Sequence, residues 1–109
     1  MSSIANTPKP PYYAVIFSSV RSNGSSQQQG DYEKMARRME ELATEQPGFL
    51  GVEAAREEVG ITVSYWDSLE AIKNWKANGE HLQAQQNGRH SWYSDFTVRI
   101  SKVERDYQL

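Results

Sequence analysis

The segment from residue 12 to residue 20 constrains the fold more than any other part of the sequence. It consists of Tyr-Tyr-Ala-Val-Ile-Phe-Ser-Ser-Val, and β-branched and aromatic residues of this kind favour a β-strand. Apolar side chains fall on both faces of the strand, because successive residues in a strand point to opposite sides. Any fold that contains this strand must therefore hide both faces of its sheet from water.

A polar segment and a helix are predicted to follow this strand. Residues 21–30 are polar and contain glycine, which favours a flexible loop. Asp31 is a suitable N-cap for a helix that extends to about Gln46. Apolar side chains recur along it at three-to-four spacing, at Tyr32, Met35, Met39 and Leu42. Pro47-Gly48 is expected to end the helix.

Residues 49–57 and 60–66 are predicted to be two strands of a hairpin, joined by a short turn. Side chains in the second of these strands alternate between two faces. One face carries Ile61, Val63 and Tyr65, and the other carries Thr62, Ser64 and Trp66. We place Trp66 and its neighbours on the side of the sheet that faces away from the helices.

The rest of the chain predicts a second helical region and a last strand. Asp67 or Ser68 caps a helix that carries Leu69, Ile72 and Trp75. Asn78-Gly79 is predicted to interrupt this helix, and a second helical piece extends from Glu80 to about Tyr93. Residues 95–106 alternate as a strand does, with one apolar face formed by Phe96, Val98 and Ile100.

The predicted order of elements is therefore β-α-β-β-α-β. With right-handed crossovers, this order gives an α+β fold of the ferredoxin-like kind, an antiparallel sheet with both helices on one face. The second apolar face would then be exposed, and soluble monomers rarely tolerate so large an apolar patch. We therefore expect a homodimer that forms through the open face of the sheet. Residues 1–11 are expected to be a flexible lead-in, and residues 12–109 a single domain.

Composition argues against several classes of function. Cysteine is absent, so the chain has no disulfide, no cysteine-zinc site and no thiol nucleophile. A net charge of −2 gives no electrostatic basis for binding nucleic acid or anionic lipid. No apolar segment approaches the ~20 residues that cross a membrane, and the N-terminus lacks a signal pattern. We expect a cytoplasmic protein that binds neither nucleic acid nor membrane.

One stretch of the sequence resembles a known family. Residues 63–75 are Val-Ser-Tyr-Trp-Asp-Ser-Leu-Glu-Ala-Ile-Lys-Asn-Trp, which is similar to the strand-to-helix signature of antibiotic biosynthesis monooxygenase (ABM) domains. That signature has an aromatic-Trp pair at the strand end, a helix that begins with Ser, and a second aromatic residue nine positions later. Glu80-His81, residues 47–51 and residues 99–105 also fit, so the resemblance covers residues 12–107.

The resemblance implies a dimeric α+β barrel with a cavity between the sheet and the helices of each protomer. Members of the family oxygenate polycyclic phenols and quinols without metal or flavin, degrade haem, or act on small signalling sugars. Haem-degrading members carry an Asn on the first strand, a Trp on the second helix and a His about ten residues later. Trp75 matches the Trp, but Gln85 stands at the His position and the first strand has no Asn. Haem degradation is therefore not the expected activity.

His81 is the best candidate for a catalytic residue. An imidazole titrates near neutral pH, so it is suited to removing a proton from an acidic phenol or anthrone. If the chain is helical from Glu80 onward, His81 shares a face with Gln85 and Trp92. These two residues would then offer an amide and an aromatic wall to a bound substrate. The structural alternative is a partly exposed histidine that bonds to a backbone carbonyl.

Three more residues are candidates for binding a flat aromatic substrate. Trp75 and Trp66 are suited to the walls of an apolar pocket, and Arg89 is suited to stabilising a phenolate or an enolate. For both tryptophans the preferred alternative is packing in the core or at a dimer interface. For Arg89 the preferred alternative is a surface salt bridge.

Two functions follow from these residues. The first is a cofactor-independent monooxygenase that acts on a small aromatic molecule of the phenol, quinol or anthrone type, with neither metal nor other cofactor. The second is a non-catalytic small-molecule-binding or stress-related dimer on the same scaffold, because a fold does not fix a function. His81 and His90 lack the spacing of metal ligands on a helix, so no metal site is expected.

Overall fold

The structure is a computed structural model that describes residues 3–21, 26–85 and 93–109, with side chains for residues 3–21, 30, 33–80 and 94–109. The described elements are β1 (Tyr12–Arg21), α1 (Ser26–Glu45), β2 (Phe49–Arg56), β3 (Gly60–Trp66), α2 (Leu69–Gln85) and β4 (Tyr93–Val103). The strands form one antiparallel sheet in the order β2-β3-β1-β4. The predicted α+β, ferredoxin-like arrangement is confirmed.

Both helices pack on the same face of this sheet. The core contains Ala43 of α1 and Ile72 of α2, together with Ala71, Val15 of β1 and Trp66 of β3. Val15 and Trp66 point to the same side, because Val15 pairs with the residue two positions before Trp66. We call this side of the sheet the helix face and the opposite side the outer face.

The strand register arranges the helix face in four rows, since residues directly opposite in an antiparallel pair share a face. Written in the order β2, β3, β1 and β4, the rows are Arg56-Gly60-Ser19-Phe96, Ala54-Thr62-Phe17-Val98, Val52-Ser64-Val15-Ile100 and Phe49-Trp66-Tyr13-Lys102. In the third and fourth rows the residues of β2, β3 and β1 are buried or half-buried. The β4 residue of every row is exposed.

Trp66 lies on the helix face, so its predicted position on the other side of the sheet is wrong. Its exposed fraction is 0 %, and its indole N–H donates to Ser64 Oγ at 2.9 Å. Phe49 meets its ring edge-on, with ring centroids 5.4 Å apart. Alternation along β3 separates Trp66 from Ile61 and Val63 but does not say which set meets the helices. Packing decides this, because a buried Trp removes roughly 150–250 Å² from water.

α1 begins at Ser26 rather than at Asp31. Residues 26–30 of the predicted loop therefore belong to the helix, and that part of the prediction is wrong; residues 22–25 lie outside the described residues. The three glutamines at 27–29 are good helix formers and offset Gly30, which costs about 1 kcal/mol relative to alanine. The predicted stop is confirmed, since α1 ends at Glu45 and Gly48 has a φ of 87°.

α2 continues through Asn78-Gly79, so the predicted interruption is wrong. Gly79 is buried, and a Cβ built on it would lie 2.6 Å from Met39 Cε of α1. The glycine therefore leaves room for the end of the Met39 side chain between the two helices. Tertiary packing of this kind outweighs the propensity cost of about 1 kcal/mol.

The two ends of α2 differ in how well they were predicted. Ser68 caps the start, because its Oγ accepts a hydrogen bond from the Ala71 N–H at 3.1 Å. Residues 80–85 continue α2, residues 86–92 lie outside the described residues, and Tyr93 begins β4 instead of ending a helix. Over the residues described, neither helix combines the length and apolar content of a membrane-spanning segment.

The N-terminal segment lies against the outer face. The Ala5 N–H donates to Glu53 Oε1 at 2.9 Å, and Thr7 Oγ1 donates to the Tyr12 hydroxyl at 3.0 Å. Tyr12, only 4 % exposed, donates in turn to the carboxylate of Asp106. Residues 3–11 and the C-terminal tail thus meet on one part of the outer face. The flexibility predicted for residues 1–11 stays a prediction.

Candidate functional site

The helix face is incompletely covered along β4. Three large apolar side chains of this strand point to the helix face and remain about half exposed: Phe96 at 58 %, Val98 at 47 % and Ile100 at 52 %. We call these three residues the β4 strip. The strand prediction gave the same three residues a common face, and the register confirms it. An exposed apolar surface beside a helical layer is the kind of place where a small apolar ligand binds.

An aromatic pair closes one end of the β4 strip. The rings of Phe17 of β1 and Phe96 of β4 have centroids 5.6 Å apart and are tilted by 30°. The two residues are diagonal neighbours, because Phe96 pairs with Ser19 and Phe17 with Val98. Phe17 is half-buried while Phe96 is exposed, so the pair offers an exposed aromatic ring that packs against a half-buried one.

A cation lies in the same row as Phe96. Arg56 extends from β2 across Gly60 of β3, and its guanidinium donates a hydrogen bond to Ser19 Oγ of β1. Gly60 makes this path possible, because a Cβ at that position would overlap the guanidinium group. Ser19 is 2 % exposed, whereas Arg56 is exposed. The guanidinium is therefore held by a buried hydroxyl, while the Arg56 residue as a whole remains exposed.

The two tryptophans predicted to wall a pocket pack against each other, Trp75 from α2 and Trp66 from β3. The rings of Trp66 and Trp75 have centroids 5.2 Å apart and are tilted by 33°. Trp66 has no exposed surface, so its position is that of a core residue, and its substrate-binding role stays a prediction. Trp75 is half-buried, and its indole N–H is buried without a hydrogen-bond partner among the residues described. Such an orphaned buried donor costs roughly 1–3 kcal/mol.

The remaining predicted site residues are not brought into a described geometry. His81 and Gln85 belong to α2, but only their helical backbone is described. Arg89 and Trp92 lie outside the described residues. The role of His81 as a base and the binding roles of the other three residues stay predictions.

The tyrosines with shifted pKa values lie on the outer face and not at the β4 strip. The hydrogen bond to Asp106 raises the pKa of Tyr12 above its ordinary value of 10.0, because the carboxylate favours the protonated phenol. Burial raises the pKa of Tyr65, whose ring meets that of Tyr12 edge-on at 5.7 Å. Within the described part of the chain, no three His, Asp or Glu side chains cluster as metal ligands do.

The fold and this strip can be set beside known proteins. The sequence model of a family described as antibiotic biosynthesis monooxygenase matches residues 12–87, which is more than half of the 109 residues. The chain belongs to the antibiotic biosynthesis monooxygenase family. The resemblance found in the sequence is thereby confirmed. The matched residues include β1, α1, β2, β3 and α2.

The ABM domain is similar to known proteins both in sequence and in structure. It is 51 % identical over 107 residues to the uncharacterized protein YqjZ of Bacillus subtilis (strain 168), covering 96 % of this chain and 90 % of YqjZ. A mutant of SnoaB, a cofactor-independent oxygenase from Streptomyces nogalater, has a TM-score of 0.63 at 15 % identity and covers 90 % of this chain and 96 % of SnoaB.

A second solved structure is the monooxygenase from the gene ActVA-Orf6 of Streptomyces coelicolor in complex with nanaomycin D. Its TM-score is 0.64 at 12 % identity, and the match covers 91 % of the ABM domain and 93 % of that chain. At such low identities, both structures support the fold alone.

Sequence reasoning missed Arg56 and Ser19 as candidate site residues. The only local signal is the hairpin register, which pairs Arg56 with Gly60 and so puts a long cationic side chain beside a residue with no side chain. The acceptor Ser19 is 37 positions away along the chain. Its approach depends on the pairing of β1 with β3, which no local pattern specifies.

Proposed function

We propose that this ABM domain is a cofactor-independent monooxygenase that acts in the cytoplasm on a small aromatic substrate such as a phenol, a quinol or an anthrone. The observation that carries the proposal is the β4 strip, an exposed apolar surface on the helix face of a member of this family. A flat ring that covers it gains roughly 25 cal/mol per Å² of apolar surface buried. The names of SnoaB and the ActVA-Orf6 monooxygenase support the same class of reaction.

The proposed reaction needs a base and a route for dioxygen rather than a bound redox group. His81 removes a proton from the substrate and leaves an electron-rich anion that reacts directly with dioxygen. When a ring methylene becomes a carbonyl, one oxygen atom enters the product and the other leaves as water, so atoms and electrons balance. The Trp75 N–H is a suitable donor for a substrate oxygen that gains negative charge. Trp66, Gln85, Arg89 and Trp92 remain the proposed binding residues around it.

Oxygen consumption tests this proposal. We expect the parent protein to consume dioxygen with at least one member of a panel of hydroquinones and anthrones. The His81→Ala variant should lose about 10²- to 10⁴-fold in rate, as is usual when a general base is removed. His90→Ala is the matched control, since it removes the chain's other histidine. Equal rates for the parent and His81→Ala would remove His81 from the mechanism.

The alternative function gives a different result in the same experiment. A non-catalytic binding dimer would bind members of the panel, seen as quenching of its tryptophan fluorescence, without consuming dioxygen. Trp75→Phe adds a second readout, because it keeps an aromatic ring and removes the unpaired N–H donor. If the Trp75→Phe variant still binds the panel but consumes dioxygen more slowly, the N–H donor contributes to the reaction and not to binding.

We further propose that two copies of the ABM domain pair through their outer faces. Three apolar residues of β1 and β3 lie there beyond the part covered by the N-terminal segment: Ile16, Ile61 and Val63. Ile61 is 45 % exposed, and the other two are half-buried. Apolar side chains in the middle of a sheet are the surface that a second copy would cover.

Light scattering tests the pairing. We expect a particle of twice the mass of one chain for the parent, and a shift toward the single-chain mass for Ile61→Glu, because the new charge would be buried at the interface. Val59→Glu is the control, since Val59 is 51 % exposed in the turn between β2 and β3 and not within the sheet. A parent protein that stays monomeric at high concentration contradicts the pairing.

A further inference from the structure

We propose that Arg56 and Ser19 form a binding site for the acid group of an aromatic ligand, so that the substrate class is an aromatic carboxylate and not an uncharged phenol. The inference rests on the proposed function, because it uses the same β4 strip for the aromatic part of the ligand. It adds Arg56 and Ser19 to the predicted site residues.

The position of the guanidinium is set by the sheet and not by chance contact. Arg56, Gly60 and Ser19 are consecutive cross-strand neighbours in one row of the helix face. Adjacent strands are about 4.8 Å apart, so the Arg56 side chain crosses the whole width of β3 to reach Ser19. A long flexible side chain would not normally lie flat on a sheet. Here Gly60 leaves the space and the buried Ser19 hydroxyl supplies the acceptor.

The hydrogen-bonding capacity of Arg56 is only partly used. A guanidinium has five N–H donors in a rigid fork, and one nitrogen is bonded to Ser19. No carboxylate in the described part of the chain forms an ion pair with Arg56. The remaining donors match the two oxygens of a carboxylate, and such paired bonds are about twice as strong as neutral ones.

The aromatic surface lies next to this cation in the direction of β4. Ser19 pairs with Phe96, so the anchored guanidinium is separated by one strand spacing of about 5 Å from β4, the strand that carries the β4 strip. An acid group held by Arg56 would leave its ring over Phe96 and Val98, which are 58 % and 47 % exposed. The Phe17 ring supports Phe96 from its other side. The juxtaposition of a fixed cation and an exposed aromatic surface is what selects an aromatic acid.

The same face offers an internal comparison. Lys102 lies at the opposite end of the β4 strip, in the row of Tyr13, and is also an exposed cation. No hydrogen bond fixes its ammonium group among the residues described. If Arg56 forms a specific site, removing its charge should weaken the binding of an acid and removing the charge of Lys102 should not. If anions are attracted to this face in general, both substitutions should weaken binding equally.

Binding of naphthoate and its uncharged analogue naphthamide, measured by calorimetry without turnover, tests the proposal. We expect the parent protein to bind naphthoate at least about tenfold more tightly than naphthamide, as a charge-assisted pair of bonds provides. Arg56→Gln should abolish this preference and leave the affinity for naphthamide unchanged. Lys102→Gln should leave both affinities unchanged.

Two further variants separate charge from geometry. Gly60→Ala keeps Arg56 but forces its guanidinium away from Ser19, so naphthoate affinity should fall while the charge is retained. Arg56→Lys keeps the charge but lacks the planar fork of N–H donors, and should lose part of the preference for naphthoate over naphthamide. Circular dichroism of each variant establishes that it is folded before binding is compared.

Four results would overturn the proposal. They are equal affinity of the parent for acid and amide, an unchanged preference in Arg56→Gln, equal losses in Arg56→Gln and Lys102→Gln, and failure of naphthoate to bind at millimolar concentration. These measurements need no oxygen consumption. The acid site can therefore fail while the oxygenase proposal stands, and an inactive protein can still have the site.

Discussion

Replacing Gly48 by alanine should destabilise the protein more than the same exchange at any other glycine that the structure describes. Gly48 lies between α1 and β2 and has a φ of 87°, a conformation that side chains with a Cβ rarely adopt. Its carbonyl accepts a hydrogen bond from the Asp67 N–H at 2.8 Å. Asp67 directly precedes Ser68, the cap of α2, so a shift at Gly48 is transmitted to the start of the helix that carries Trp75.

The magnitude follows from two separate costs. A residue with a Cβ loses about 1–2 kcal/mol in the left-handed region. The added Cβ would also lie 2.7 Å from Ala71 Cβ, well inside the usual 3.5–4.0 Å of a carbon-carbon contact. Because Ala71 Cβ is fixed to the backbone of α2, the overlap is relieved only by moving the helix, at a cost of about 1–3 kcal/mol. Lower entropy of the unfolded chain returns about 0.4–1 kcal/mol. We expect a net loss of about 2–4 kcal/mol.

Urea unfolding at one fixed protein concentration measures this loss, and a matched substitution serves as its control. Gly30 lies inside α1, and a Cβ built on it has no neighbour within 4 Å. Gly30→Ala should therefore stabilise the protein by about 0.5–1 kcal/mol through helix propensity alone. If Gly48→Ala costs less than about 1 kcal/mol, the argument from backbone conformation and overlap is wrong. Gly30→Ala and Gly48→Ala moving stability in the same direction would contradict it too.

Two other predictions concern single hydrogen bonds. Ser64→Ala should cost about 1–3 kcal/mol in urea unfolding, because it leaves the fully buried Trp66 N–H without an acceptor, and a cost near zero would argue against that bond. Tyr12→Phe should make stability less sensitive to alkaline pH. The pKa of Tyr12 in the folded chain lies above its ordinary value of 10.0. The unfolded chain therefore loses the Tyr12 proton at a lower pH than the folded chain does, and the stability of the parent falls as pH rises past 10.0. Unfolding titrations between about pH 9 and pH 11 should give a steeper decline for the parent than for the variant, and equal slopes would contradict the assignment of the raised pKa to the bond with Asp106.

The candidate site divides into a part that the sequence could supply and a part that it could not. The common face of Phe96, Val98 and Ile100 follows from alternation in a strand, and the sequence analysis assigned it. The exposure of that face does not follow, because it depends on where α1 and α2 end over the sheet. The contact between Arg56 and Ser19 was likewise out of reach, since it needs the register of two strand pairs at once.

The sequence by itself determined the order β-α-β-β-α-β, the strand segments and the separation of each strand into two faces, since these depend on neighbouring residues and on a period of two. Tertiary structure decided which face of each strand meets the helices. Trp66 is buried beneath α2 because its large ring fits between Phe49 and Trp75, although alternation alone allowed either side. Packing also decided that α2 continues through Gly79. Gly79 is buried beside Met39 of α1, and most of the stability of a helix in a protein comes from tertiary packing and not from a local propensity worth about 1 kcal/mol.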